Sequence, residues 1–144
     1  MDTLTPEQRR FCMQRIKGRN TSPEVRLRSA LWRLGLRFRI GHHLVGTPDI
    51  VFPAVRLAVF IDGCFWHRCR KHSHLPKSNI KYWKRKFQLN KERDVRVNRK
   101  LRRQGWRVLR VWEHDVASEL ELLSRSIKNA LKNHKSISRL RIVR

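Results

Sequence analysis

Residues 49–61, Asp49-Ile-Val-Phe-Pro-Ala-Val-Arg-Leu-Ala-Val-Phe-Ile61, decide the fold class. Ile50 to Phe52 and Leu57 to Ile61 are short, strongly apolar and β-rich, so both read as central strands. Upstream, Leu36, Phe38 and Ile40 alternate with arginines, the period-two mark of a half-exposed strand. Before them Leu27, Ala30, Leu31 and Leu34 stripe a helix that starts at Ser22-Pro23 and ends at Gly35. Earlier still, Thr5 as N-cap, Pro6 at the first helical position and Gln8 closing a capping box predict a helix that Gly18 stops. Its apolar content is thin, which suits a segment that packs fully only against a partner.

Downstream, Ile80, Trp83, Phe87, Asn90, Asp94, Val97 and Leu101 recur at three and four residues. They form one face of a helix running from about 78 to 103. Asn90 and Asp94 interrupt that face, and polar groups on a core-facing stripe are costly unless paired or at work. A register that leaves them near solvent is the plain alternative. Gly105 ends the helix, 106–112 reads as another strand, and Leu120, Leu123, Ile127 and Leu131 define a last amphipathic helix before a basic tail. The sum is an α/β fold, a mixed central sheet flanked by helices.

The 144 residues suit one domain. Thirty-five Lys and Arg against eleven Asp and Glu leave a formal charge of +24, with a pI near 11.7. No compact fold needs that excess, whereas a polyanion would screen it. At 40% hydrophobic, with five Trp and six Phe, the chain is no disordered basic tail. A folded nucleic-acid binder follows. No apolar run approaches the ~20 residues of a membrane span, and the first ten residues lack a signal peptide's apolar region. A cytoplasmic (bacterial) or nuclear home is the expectation. Cys12, Cys64 and Cys69 cannot all pair, and in a reducing compartment two close cysteines suggest a metal before a disulfide.

The densest chemistry is Asp62-Gly-Cys-Phe-Trp-His-Arg-Cys-Arg-Lys-His72, directly after an apolar strand. Cys64, His67, Cys69 and His72 could complete a zinc site by themselves. Equally, one histidine could stay out and His114, just past the last strand, could complete the tetrahedron. Asp49 is an acid in a cationic chain, and a carboxylate beside a phosphodiester needs a divalent cation between them. Asp62, ending the adjacent strand, could face it across a metal cradle. Trp32, Trp106 and Trp112 read as core. Phe65 and Trp66 are consecutive, so only one turns readily inward, and such side chains can wedge between base pairs. Trp83 is either core or part of an aromatic platform.

Five ordered strings, Asn20–Glu24, Gly46–Phe52, Val59–His67, Asn90–Asp94 and Gly105–Glu113, resemble the very short patch repair (Vsr) endonuclease family. The resemblance covers roughly Met13 to His114. It implies a restriction-endonuclease-like core with a structural zinc. It also implies a Mg²⁺-dependent nick 5′ of the thymine in a T:G mismatch left by deamination of 5-methylcytosine. The functional links it implies are to a DNA cytosine methyltransferase and to a repair polymerase and ligase. Residue by residue, Asp49 and the backbone carbonyl of Ile61 would hold Mg²⁺. His67 would act as base with Asp94 as its acidic partner, and Glu24 would support the metal or its waters. Zinc would take Cys64, Cys69, His72 and His114. Phe65, Trp66 and Trp83 would form the wedge, with Met13 offered from the opposite side. Asp62 stands where some members carry a histidine, and the chain beyond about Val116 matches little.

The expected layout is a DNA-contacting helix at 1–18, a catalytic domain with its zinc site at 19–131, and a basic tail at 132–144. A monomer is expected, because one lesion on one strand is asymmetric. Two alternatives stay in view: a restriction-type enzyme cutting a matched site, and a zinc-stabilised DNA-binding module without catalysis.

Overall fold

In a computed structural model describing residues 5–15, 21–40 and 43–132, strand β1 (Ile50–Phe52) pairs antiparallel with β2 (Leu57–Asp62). β2 in turn pairs parallel with β3 (Arg107–Trp112), so β2 is the middle of a mixed three-stranded sheet. Helices α1 (Pro6–Arg15) and α2 (Ser22–Arg33) precede the sheet, and α3 (Ile80–Arg103) links β2 to β3. Helices α4 (Glu113–Ser118) and α5 (Leu120–Lys132) follow. The capping box forms at α1: the Thr5 N–H donates to Gln8 Oε1 at 2.9 Å, and the Gln8 N–H to Thr5 Oγ1 at 3.2 Å.

Side-chain alternation divides the core into two layers. Leu57 and Val59 of β2, with Leu109 and Val111 of β3, pack into a cluster with Leu27 and Leu31 of α2, Val116 of α4, and Leu123 and Ile127 of α5. Ala58 and Phe60 point the other way, onto Val97 and Leu101 of α3. The same alternation turns Asp62 and Arg110 toward α3, where Asp94, about one turn before Val97, interrupts the apolar face. Asp94 is buried, and so is Asn90 one turn earlier.

Three expectations need correction. Residues 36–40 are not a strand but contribute one bridge, with Arg39 and Val51 exchanging both backbone hydrogen bonds at 2.8 and 2.9 Å. Leu36 and Phe38 pack on the core while Ile40 is 53% exposed. Period-two patterning reports an extended chain, and a three-residue β1 offers little ladder to join. Trp32 is not core: it is 54% exposed, lies off the Leu27–Leu31 stripe, and carries the Arg37 guanidinium 3.6 Å over its ring. Ile80 lies at the exposed start of its helical face. Helix α4 was not anticipated. The expected stop at Gly18, the side chain of Met13 and the tail beyond Lys132 lie outside the described residues.

Candidate active site and metal centre

Asp49 lies just before β1, after a turn in which Gly46 (φ +77°) and Thr47 (φ +49°) are left-handed. A Cβ on Gly46 would collide with Val97 of α3, so glycine lets this turn close onto the helix. The Asp49 N–H donates to the Val59 carbonyl at 3.0 Å, and Asp49 Oδ2 accepts the Ile61 N–H at 2.7 Å. The carboxylate thus extends the β1–β2 ladder by one acceptor. Burial pushes the Asp49 carboxyl up to about 6. The Ile61 N–H opposes this, the Glu24 and Asp62 charges add to it, and Arg110 opposes it. Glu24, in the first turn of α2, accepts the Thr21 hydroxyl at 3.1 Å and pairs with Arg28 at 3.7 Å.

Asp62, 2% exposed, ends β2, and the chain turns through 63–72 into a tight loop. The His67 N–H donates to the Gly63 carbonyl and the Cys69 N–H to the Cys64 carbonyl, while Arg68 sits at φ +53°. The turn delivers His67 between two carboxylates. Its Nδ1 lies 2.6 Å from Asp94 Oδ2, and its Nε2 lies 3.7 Å from Asp62 Oδ1. Geometry of this kind lets a carboxylate orient an imidazole and fix its tautomer.

A Cys/His set forms because β2 and β3 run parallel with Asp62 opposite Trp112. Cys64 and His114, each two residues further on, then emerge side by side. Cys64 Sγ lies 3.2 Å from His114 Nδ1, Cys69 Sγ 3.5 Å from the same nitrogen, and Cys69 Sγ 3.6 Å from His72 Nδ1. The ligand atoms of Cys64, Cys69, His72 and His114 all fall within 4.8 Å of one another. Tetrahedral zinc, with bonds of ~2.3 Å to sulfur and ~2.0–2.1 Å to nitrogen, places neighbouring S and N atoms about 3.5 Å apart. Donor chemistry and spacing therefore fit. His67 turns to Asp94 instead of joining this set. His114 Nε2 faces Asp115 Oδ1 at 3.3 Å, and the Cys64 N–H donates to Glu113 Oε1 at 2.9 Å. Such outer partners orient ligands. Burial pushes the Cys64 thiol up to about 12, against a nearby hydrogen bond and with help from Glu113 and Cys69. A cation must expel that proton to bind.

Phe65 and Trp66 leave the same loop toward the start of α3. Phe65 lies edge-on to Trp66, Trp83 and Phe87 with centroids 5.2–5.3 Å apart, and Trp83 stacks on Phe87 at 5.8 Å. Phe87 is buried; Phe65, Trp66 and Trp83 are half-buried. Asn90 explains its place on the helical stripe by donating to the Trp66 carbonyl at 3.3 Å. A cleft of about 1120 Å³ runs past His67, Asp94 and His114, with Arg70, Lys84 and Lys91 along its wall.

Sequence reasoning missed Arg110, whose Nη1 lies 2.9 Å from Asp62 Oδ1 and 3.5 Å from Asp94 Oδ1. The available signal was a cation at an inward position of an apolar strand. It also missed Glu113 and Asp115.

The profile of the family described as DNA mismatch endonuclease Vsr matches residues 1–73. A type II nicking enzyme of Xanthomonas oryzae, V.XorIIP, is 46% identical over 90% of this chain and 96% of its own length. A type II nicking enzyme of Haemophilus parainfluenzae, V.HpaIIP, is 42% identical over 91% of this chain and 96% of its own. The DNA mismatch endonuclease Vsr of Escherichia coli is 37% identical over 83% of this chain and 78% of its own.

Proposed function

The chain belongs to the family of the DNA mismatch endonuclease Vsr, and on that premise we propose that it nicks one strand of duplex DNA 5′ of the thymine in a T:G mismatch, with Mg²⁺. The observation that carries this reading is the 62–72 loop. One tight turn carries His67, whose imidazole meets the buried Asp94 of α3, and Phe65 and Trp66, which pack on Trp83 of the same helix, so recognition and chemistry share a scaffold.

Water attacks phosphorus in line, leaving a 5′-phosphate and a 3′-hydroxyl. His67, its Nδ1–H donated to Asp94, takes the water's proton on Nε2. Asp49 holds Mg²⁺ with the Ile61 carbonyl, which leaves β2 on the same edge as the N–H that Asp49 accepts. The Glu24 and Asp62 charges that help to raise the Asp49 carboxyl favour a cation beside it. When bound, the ion neutralises developing charge on the phosphate oxygens. Cys64, Cys69, His72 and His114 hold a structural zinc that fixes the loop.

Phe65, Trp66 and Trp83 enter the mismatch from one side and Met13 from the other. Insertion is cheaper where pairing is already weak, which is a physical source of selectivity. Residues 1–18 contact DNA, residues 19–131 form a catalytic domain with a restriction-endonuclease-like core, and the basic tail 132–144 adds salt-sensitive affinity. The protein acts as a cytoplasmic monomer beside a cytosine methyltransferase, with polymerase and ligase closing the gap.

Labelled duplexes identical except for one T:G or C:G pair, in several flanking sequences, test the reading. A nick beside the mismatched thymine alone is expected. Equal cutting of the C:G duplex would favour a restriction-type enzyme, and binding without a cut in every context would leave only a DNA-binding module.

A further inference from the structure

Between Val108 and Trp112, β3 turns Arg110 toward α3, a position where the strand's pattern calls for an apolar side chain. Three groups pin it there. Its guanidinium carbon lies 4.2 Å over the Phe60 ring, its Nε donates to Asn98 Oδ1 at 2.8 Å, and its Nη1 donates to Asp62 Oδ1 at 2.9 Å. The same Nη1 stands 3.5 Å from Asp94 Oδ1. Those two carboxylates are the ones that face His67, Asp94 at Nδ1 and Asp62 at Nε2. Asp94, His67, Asp62 and Arg110 therefore close a ring of contacts.

We propose that Arg110 is a positioning residue for His67, acting by holding Asp62 and Asp94 on one guanidinium. Two buried carboxylates repel each other and compete for one imidazole. Arg110 offsets both charges and draws Asp62 Oδ1 to itself, so this oxygen stands 3.7 Å from His67 Nε2, beyond hydrogen-bond distance. Without Arg110, Asp62 would close on Nε2 and bind the nitrogen that must receive the water's proton. The inference deepens the proposed function and rests on His67 as the base.

The test uses the whole chain as purified, with Arg110→Met, Asp62→Asn, the double variant and Arg110→Lys. It reads the ¹⁵N imidazole signals of His67 without DNA, and nicking of the T:G duplex. Arg110→Met should move the His67 signals and lower kcat about 10–100-fold, with KM little changed. The double variant should return the His67 signals toward wild type, because residue 62 then carries no charge with which to close on Nε2, while kcat stays low through the loss of Asp62 itself. Unchanged signals and kcat in Arg110→Met would overturn the proposal, as would a double variant whose His67 signals stay where Arg110→Met puts them. Should Arg110→Met fail to fold, Arg110→Lys decides: it keeps the charge but not the fork that meets both carboxylates, and unchanged His67 signals would overturn the proposal. A wild-type chain that nicks nothing would count against the endonuclease reading, while the His67 signals would still decide the role of Arg110.

Discussion

Asp49 shows how one carboxyl can oppose its own fold until a cation arrives. Its folded value of about 6 exceeds the ordinary 3.8, so the folded chain holds this proton more tightly than the unfolded chain does. Stability present below about pH 4 is therefore lost as pH rises to about 6, and the full cost stands above that. Asp49→Asn should raise the melting temperature of the Mg²⁺-free protein by a few degrees at pH 7.5 and leave it nearly unchanged at pH 4. Mg²⁺ should stabilise the wild type at pH 7.5, less at pH 5 where it must displace a proton, and the Asn variant hardly at all. Nicking should be abolished by the same substitution while DNA binding persists. A variant that still nicks would remove Asp49 from the metal site, and equal Mg²⁺ shifts in both proteins would place the ion elsewhere.

At the scale of elements, the parallel register of β2 and β3 brings together Cys64 and His114, which are 50 residues apart. This assembly makes the metal content separable from the chemistry. His67→Ala should keep one zinc per chain by elemental analysis and lose nicking, whereas Cys64→Ser should lose the zinc and lower the melting temperature. Zinc lost from His67→Ala would move that histidine into the structural set. The sequence made α3 legible because a 24-residue helix repeats its three-four spacing often enough to expose two polar exceptions, and both proved buried and bonded. β1 and β2 were legible because burial on both faces leaves a nearly continuous apolar run. Residues 36–40 misled because alternation reports an extended backbone and says nothing of a partner. Spacing also left His67 and His114 as equal candidates for the metal set. Only the turn at Arg68 and the strand register separate them, and neither is a property of local sequence.

Over the whole molecule, the +24 charge and the aromatic cluster should govern different quantities. The charge acts on every duplex alike: binding releases counterions, so log K falls linearly with log salt for matched and mismatched DNA. Lys84 and Lys91, exposed on the wall of the cleft that passes His67, should each reduce that slope by about 1 when changed to Gln, with the T:G preference intact. Trp66 carries no charge and packs against Phe65 and Trp83. Trp66→Ala should leave the salt slope unaltered and weaken binding to the T:G duplex more than to its C:G counterpart. Titrations of both duplexes at four salt concentrations measure slope and preference in one experiment. Equal losses on the two duplexes would take Trp66 out of mismatch recognition and leave it a packing residue. A changed T:G preference in the lysine variants would mean that the cationic wall takes part in choosing the lesion as well as in gripping the backbone.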